Sequence, residues 1–184
     1  MDQTAVLQGL APHVRVQAEG LLAQFGDVLR ITSGYRDLQA QARAMATHVM
    51  QNRTWIKETY RRIGRPSYEV GQFLQRLVDQ HPDWRSHDEI AEGLWMQLTH
   101  DPRGSLISKH CVQVDGVPAA LAFDLDPLEH DGSMTAMGQE VWQAILALPG
   151  LDPPPLRREG GRVIWHVQFL PVMGEPATEG RRHA

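Results

Sequence analysis

Residues 111–127 read CVQVDGVPAALAFDLDP, a segment that alternates with the period of a β-strand on either side of Asp115-Gly116. Successive strand side chains point to opposite faces, so Leu121, Phe123 and Leu125 share one face while Ala120, Ala122, Asp124 and Asp126 share the other. An acidic side chain thus stands on a face kept clear by alanines. Asp-Gly tolerates positive φ and favours a tight hairpin before that strand. Residues 162–170 read RVIWHVQFL, and the same rule groups Val163, Trp165, Val167 and Phe169 against Ile164, His166 and Gln168. Two strands can therefore offer Asp124 and His166 to one cleft.

Working outward, the segment from about Val14 to Phe25 has amphipathic helical spacing closed by Gly26, and DVLRITSGY predicts a strand running into a turn that carries Ser33, Gly34, Tyr35 and Arg36. Leu38, Ala42, Met45, Val49 and Ile56 keep helical spacing after Asp37, a good N-cap, and predict one long helix to about Tyr60. Pro66-Ser67 restarts a helix to about Asp79, and Ser86 with Glu89 forms a capping box for another through Leu98. Met134 to about Leu148 predicts a further helix ended by Pro149-Gly150, and PPPLRREGG connects it to the last strand. The fold class implied is α+β: a small antiparallel sheet packed with several helices, forming a single domain over residues 1–174 with a disordered tail over 175–184.

Composition excludes several classes of function. At 184 residues and 42% hydrophobic content the chain can bury a core without disulfides, and Cys111, its only cysteine, forms no internal one. A net charge of -4 argues against nucleic acid as the partner, since phosphate contacts need a clustered basic surface. The opening MDQTAVLQGLAPHVRVQ lacks the pattern of a secretory leader, and no apolar run is long enough for a transmembrane segment. The expectation is synthesis in the cytoplasm, with any role outside it depending on release by something else.

His110, in Ser108-Lys109-His110 just before the hairpin, is a third candidate beside Asp124 and His166. Two imidazoles and one carboxylate suit zinc and leave a fourth tetrahedral position open for water, whose pKa zinc lowers to about 7. Taken singly, any of the nine histidines is more often a surface or hydrogen-bonded residue than a ligand.

The order SGYR, S-K-H, A-L-A-F-D-L and I-W-H-V-Q over residues 31–170 resembles the M15 zinc peptidases, the D,D-carboxypeptidase and endolysin family with the hedgehog/DD-peptidase fold. Its metal motifs are similar to S-x-H-x-x-G-x-A-x-D and E-x-W-H. The resemblance implies zinc on His110, Asp124 and His166, with Arg36 and Ser108 binding the substrate's carboxylate or peptide carbonyls. It implies hydrolysis of an amide bond in a peptidoglycan stem peptide, on the cell wall, by an enzyme released with help from a partner such as a holin.

Two positions depart from that pattern. Fourteen positions separate His110 from Asp124 where the motif has seven, an excess that a hairpin at Asp115-Gly116 would absorb. The acidic residue expected three before the last histidine is Val163, which exchanges no proton. A substitute general base would come from Asp126 or Glu159, and each has a simpler reading, a turn residue before Pro127 and a solvated loop charge. The alternative is a non-catalytic, metal-containing murein- or peptide-binding domain that has lost its base.

Overall fold

In the computed structural model, the residues described are 2–61, 67–127, 136–152 and 164–172. They contain seven α-helices and five short strands, an α+β composition, arranged in two compact units. Among the described residues, one unit is built from those up to Tyr35 and those from Val112 onward, the other from Arg36–Cys111.

The first unit holds the sheet. Helices α1 (Gln3–Gln8) and α2 (Pro12–Phe25) precede β1 (Leu29–Ser33); β2 (Gln113–Val114), β3 (Val117–Pro118), β4 (Ala122–Pro127), α7 (Ala136–Leu146) and β5 (Trp165–Gln168) follow the second unit in sequence. β4 is central and antiparallel to both neighbours in the order β1-β4-β5. The hairpin β2-β3 turns at Asp115 (φ 50°) and Gly116 (φ 81°), the left-handed pair required by a two-residue turn whose twist matches its strands.

Alternation decides which side chains enter the apolar core. Ile31, Phe123, Leu125, Trp165 and Val167 are buried in one cluster with Val14, Ala18, Leu21 and Phe25 of α2 and Val141, Trp142 and Ile145 of α7. Phe123 and Phe169 pack with centroids 5.7 Å apart, and Trp142 meets Trp165 edge-on at 5.5 Å. Each such buried side chain contributes about 1.5–3 kcal/mol, so shifting β4 by one residue would turn its apolar set out of the core and Asp124 into it. The outer edge of β1 is covered at Ile31 by Gln3, whose carboxamide donates to the Ile31 carbonyl at 2.7 Å and accepts from its N–H at 3.3 Å.

The second unit is helical: α3 (Leu38–Gln51), α4 (Trp55–Tyr60), α5 (Ser67–Gln80) and α6 (His87–His100), followed by 3-10 turns at Gly104–Ile107 and Lys109–Cys111. Met45, Val49, Ile56, Leu74, Val78, Ile90, Leu94 and Leu98 form its core. Asp37 caps α3 by accepting from the Ala40 N–H at 2.7 Å, and Ser86 with Glu89 forms both bonds of the capping box on α6. Accepting from the backbone N–H and hydroxyl of Ser86 holds the Glu89 carboxyl below its usual pKa.

The continuous helix expected from Asp37 to about Tyr60 is instead two helices. Asn52 leaves the helical region at φ -144°, ψ 106°, and its side chain accepts from the Thr54 N–H to start α4. Arg53 then donates to the carbonyls of Val78 (2.8 Å), His81 (2.9 Å) and Trp84 (3.2 Å) at the end of α5 and beyond it. The Val78 and His81 carbonyls also accept from the His81 and Trp84 N–H groups at 3.3 and 3.2 Å, and the added charge-assisted bonds from Arg53 stabilise the break. The expected helices at 67–79, 86–98 and 134–148 correspond to α5, α6 and α7 within their described parts. The tail 175–184 lies outside the described residues.

Candidate metal centre

Each of the three expected ligands is fixed by a different local device. Asp124 lies on the central strand, opposite a β-bulge in β1, where the register shifts between Ile31 and Ser33 and Ser33 becomes its partner. A bulge bends and twists its strand locally. The Thr32 hydroxyl donates to the Asp124 carbonyl at 3.4 Å. His166 is the direct cross-strand partner of Asp124 on β5, and its Nδ1 lies 2.8 Å from Asp124 Oδ1. Its other ring nitrogen, Nε2, lies 3.4 Å from Gln168 Oε1.

His110 occupies the 3-10 turn Lys109–Cys111, and the bonds around its backbone come from residues that the sequence also singled out. Its N–H donates to Ser108 Oγ at 3.2 Å, and its carbonyl accepts from the Arg36 N–H at 2.9 Å. The Ser108 carbonyl in turn accepts from the Cys111 N–H at 2.9 Å, closing the turn. The imidazole is therefore carried on a backbone restrained from both sides rather than on a freely moving loop.

His110, Asp124 and His166 each offer one ligand atom, and these atoms all lie within 4.8 Å of one another. His110 and Asp124 are 1% and 2% exposed, and His166 is half-buried. Removing a carboxylate from water this completely is costly unless opposite charge or hydrogen bonds compensate it, and a divalent cation among two imidazoles is one such compensation. The donor set, its spacing and its burial fit a metal ion. They do not select which metal, since imidazole and carboxylate ligands also serve other divalent ions.

Arg36 and Ser108 sit at His110 through backbone and hydroxyl bonds, as described. Asp126, two residues beyond Asp124 on β4, is engaged by Arg30: both Nε (3.1 Å) and Nη2 (2.6 Å) donate to its Oδ2. That pair follows from register, because Arg30 and Asp126 are opposed across β1 and β4. Glu159 and Val163 lie outside the described residues. Cys111, next to His110, is buried, and burial pushes its thiol up from 9.0 to about 12, partly offset by Arg36.

The two neighbours that sequence reasoning did not assign are Gln168 and Arg30. Gln168 was detectable, since alternation puts it on the face of His166. Arg30 was not, because no local pattern reports which residue of β1 will face Asp126. No helix among the described residues is long and apolar enough to cross a membrane. In comparisons with known proteins, no family model matches the chain, and neither a curated protein nor a solved structure is similar to it at a significant level.

Proposed function

We propose that this chain is a zinc metallopeptidase of the hedgehog/DD-peptidase type that hydrolyses an amide bond in peptidoglycan stem peptides. The observation that carries the reading is the gathering of His110, Asp124 and His166, residues far apart in sequence, into one group whose donor atoms lie within 4.8 Å. The same three positions are the ones to which the M15 resemblance assigns zinc. Zinc held there would supply a Lewis acid for the scissile carbonyl and an acidified water as nucleophile.

The chain's own residues would do the remainder. Asp124 and His166, on paired β-strands, give the group a rigid floor. His110 brings with it the backbone of Ser108 and Arg36, which supports a role for the Ser108 hydroxyl and the Arg36 guanidinium in holding a peptide carbonyl or terminal carboxylate. The general base is Asp126 or Glu159. Release to the cell wall would depend on a partner such as a holin.

One observation favours a second reading, a metal-containing domain that binds murein without cutting it: Oδ2 of Asp126 already accepts two bonds from Arg30. Val163, in place of an acidic residue, points the same way. Incubating the zinc-loaded protein with purified peptidoglycan and with peptides ending in D-Ala-D-Ala, followed by mass spectrometry, separates the two readings. Cleavage that is lost in either Asp126→Asn or Glu159→Gln supports the enzyme and names its base. Retained binding to cell-wall fragments with no cleaved product supports the second reading, and neither binding nor cleavage sinks both.

A further inference from the structure

His166 has two ring nitrogens, and they meet different partners. Nδ1 is 2.8 Å from Asp124 Oδ1, whereas Nε2 points along β5 to Gln168 Oε1 at 3.4 Å. Resting on the metal reading above, we propose that Gln168 is a positioning residue that accepts the Nε2 proton of His166 when a divalent cation takes the Nδ1 lone pair, favouring the ligating tautomer.

A neutral imidazole carries one proton, and the nitrogen that ligates must be the one without it. Donor atoms around a tetrahedral zinc with bonds of about 2.0–2.1 Å sit about 3.3 Å apart, so Nδ1 and Oδ1 need separate by only about half an ångström to share an ion. The proton that lies between them without metal then has to sit on Nε2, where an acceptor is required. Gln168 Oε1, 3.4 Å away, can accept it. A partner of this kind fixes ring orientation and raises ligand basicity.

The strand holds Gln168 in place for this task. Gln168 pairs with Ala122 of β4, and its carbonyl accepts from the Asp152 N–H at 2.9 Å. Strand period two puts its side chain on the face of His166. The opposite orientation of the carboxamide, with its N–H₂ toward Nε2, would lock the proton on Nδ1 and leave an Asp–His hydrogen bond in place of a metal site. The two orientations therefore have opposite consequences for metal binding.

Zinc titration of the apo chain by calorimetry tests this without any activity assay. Gln168→Leu, of similar size but with no acceptor, is expected to bind zinc about 10–100-fold more weakly than the parent chain. Gln168→Glu, which can only accept, is expected to retain parental affinity. Leu binding within twofold of the parent, or Glu as weak as Leu, overturns the proposal while leaving the metal reading intact. A folded parent chain that binds no zinc overturns the metal reading and the proposal together. Should the Leu variant fail to fold, long-range ¹H–¹⁵N spectra of the zinc-loaded parent decide: a proton on His166 Nε2 is expected, and one on Nδ1 refutes it.

Discussion

Asp124 and His166 are cross-strand partners whose side chains meet at 2.8 Å, although 42 positions separate them in the chain. Directly opposed strand residues have Cβ atoms about 4.5–5.5 Å apart, so the β4–β5 register alone brings a carboxylate and an imidazole within reach of one ion.

Metal binding should therefore couple to stability through these two residues and His110. An ion that binds only the folded state stabilises it by about 2.7 kcal/mol at a concentration a hundredfold above its dissociation constant. Zinc is expected to raise the melting temperature of the parent chain, and a chelator to reverse the rise. Neither should occur in His110→Ala, Asp124→Asn or His166→Ala. A zinc-dependent shift that survived in all three variants would place the ion elsewhere.

Two glycines should respond in opposite directions to the same substitution. A Cβ on exposed Gly20, inside α2, meets nothing within 4 Å, so Gly20→Ala should gain about 0.5–1 kcal/mol from helix propensity. A Cβ on Gly104 would lie 1.8 Å from the Leu98 carbonyl oxygen, a backbone atom at the end of α6. Gly104→Ala should cost more than the about 1–3 kcal/mol typical of overpacking, because the obstacle is main chain. Urea unfolding curves for both variants check the sign and size.

Arg53→Leu should destabilise the helical unit. It removes three donors from the Val78, His81 and Trp84 carbonyls, and bonds to a charged donor are each worth about 1.5–3 kcal/mol. The backbone N–H donors kept by the Val78 and His81 carbonyls, together with water, offset part of that, so a net loss of about 2–3 kcal/mol is expected. Amide hydrogen exchange should quicken first in α4 and at the end of α5. Unchanged exchange there would show that the arginine does not hold the break.

Cys111 should be unreactive in the folded chain. A thiol raised from 9.0 to about 12 has about a thousandfold less thiolate near pH 8 than the unfolded one. Labelling by a thiol-specific reagent should thus follow global unfolding. The same shift carries a pH dependence: above about 9 the unfolded chain releases this proton while the folded chain keeps it. Stability should accordingly fall as pH rises from 9 toward 12, by at most about 1.4 kcal/mol per pH unit from this group. Cys111→Ala should flatten that slope.

The elements readable in the sequence are those written in local chemistry. The capping box at Ser86, the N-cap at Asp37, the Asp115-Gly116 turn and the alternation in 165–169 each report a short-range preference, and each recurs in the structure, whereas 121–125 is buried on both faces of its strand. The break between α3 and α4 was hidden because 52–54, Asn-Arg-Thr, contains neither glycine nor proline. It is set by carbonyls 25 to 31 positions away. The candidate site divides the same way. Alternation gives the faces of Asp124 and His166, but their pairing with each other, like that of Arg30 with Asp126, is a matter of register between distant strands.

The hydrogen bond from Arg36 to His110 ties the first residues of the helical segment to its last. Seen as polymer geometry, this makes residues 36–111 a closed excursion from the sheet-bearing unit. Loop-closure entropy grows only logarithmically, so doubling such an excursion costs about 0.6 kcal/mol. Insertions in the connections between its helices, outside the packed core, should therefore be tolerated if they respect that clasp.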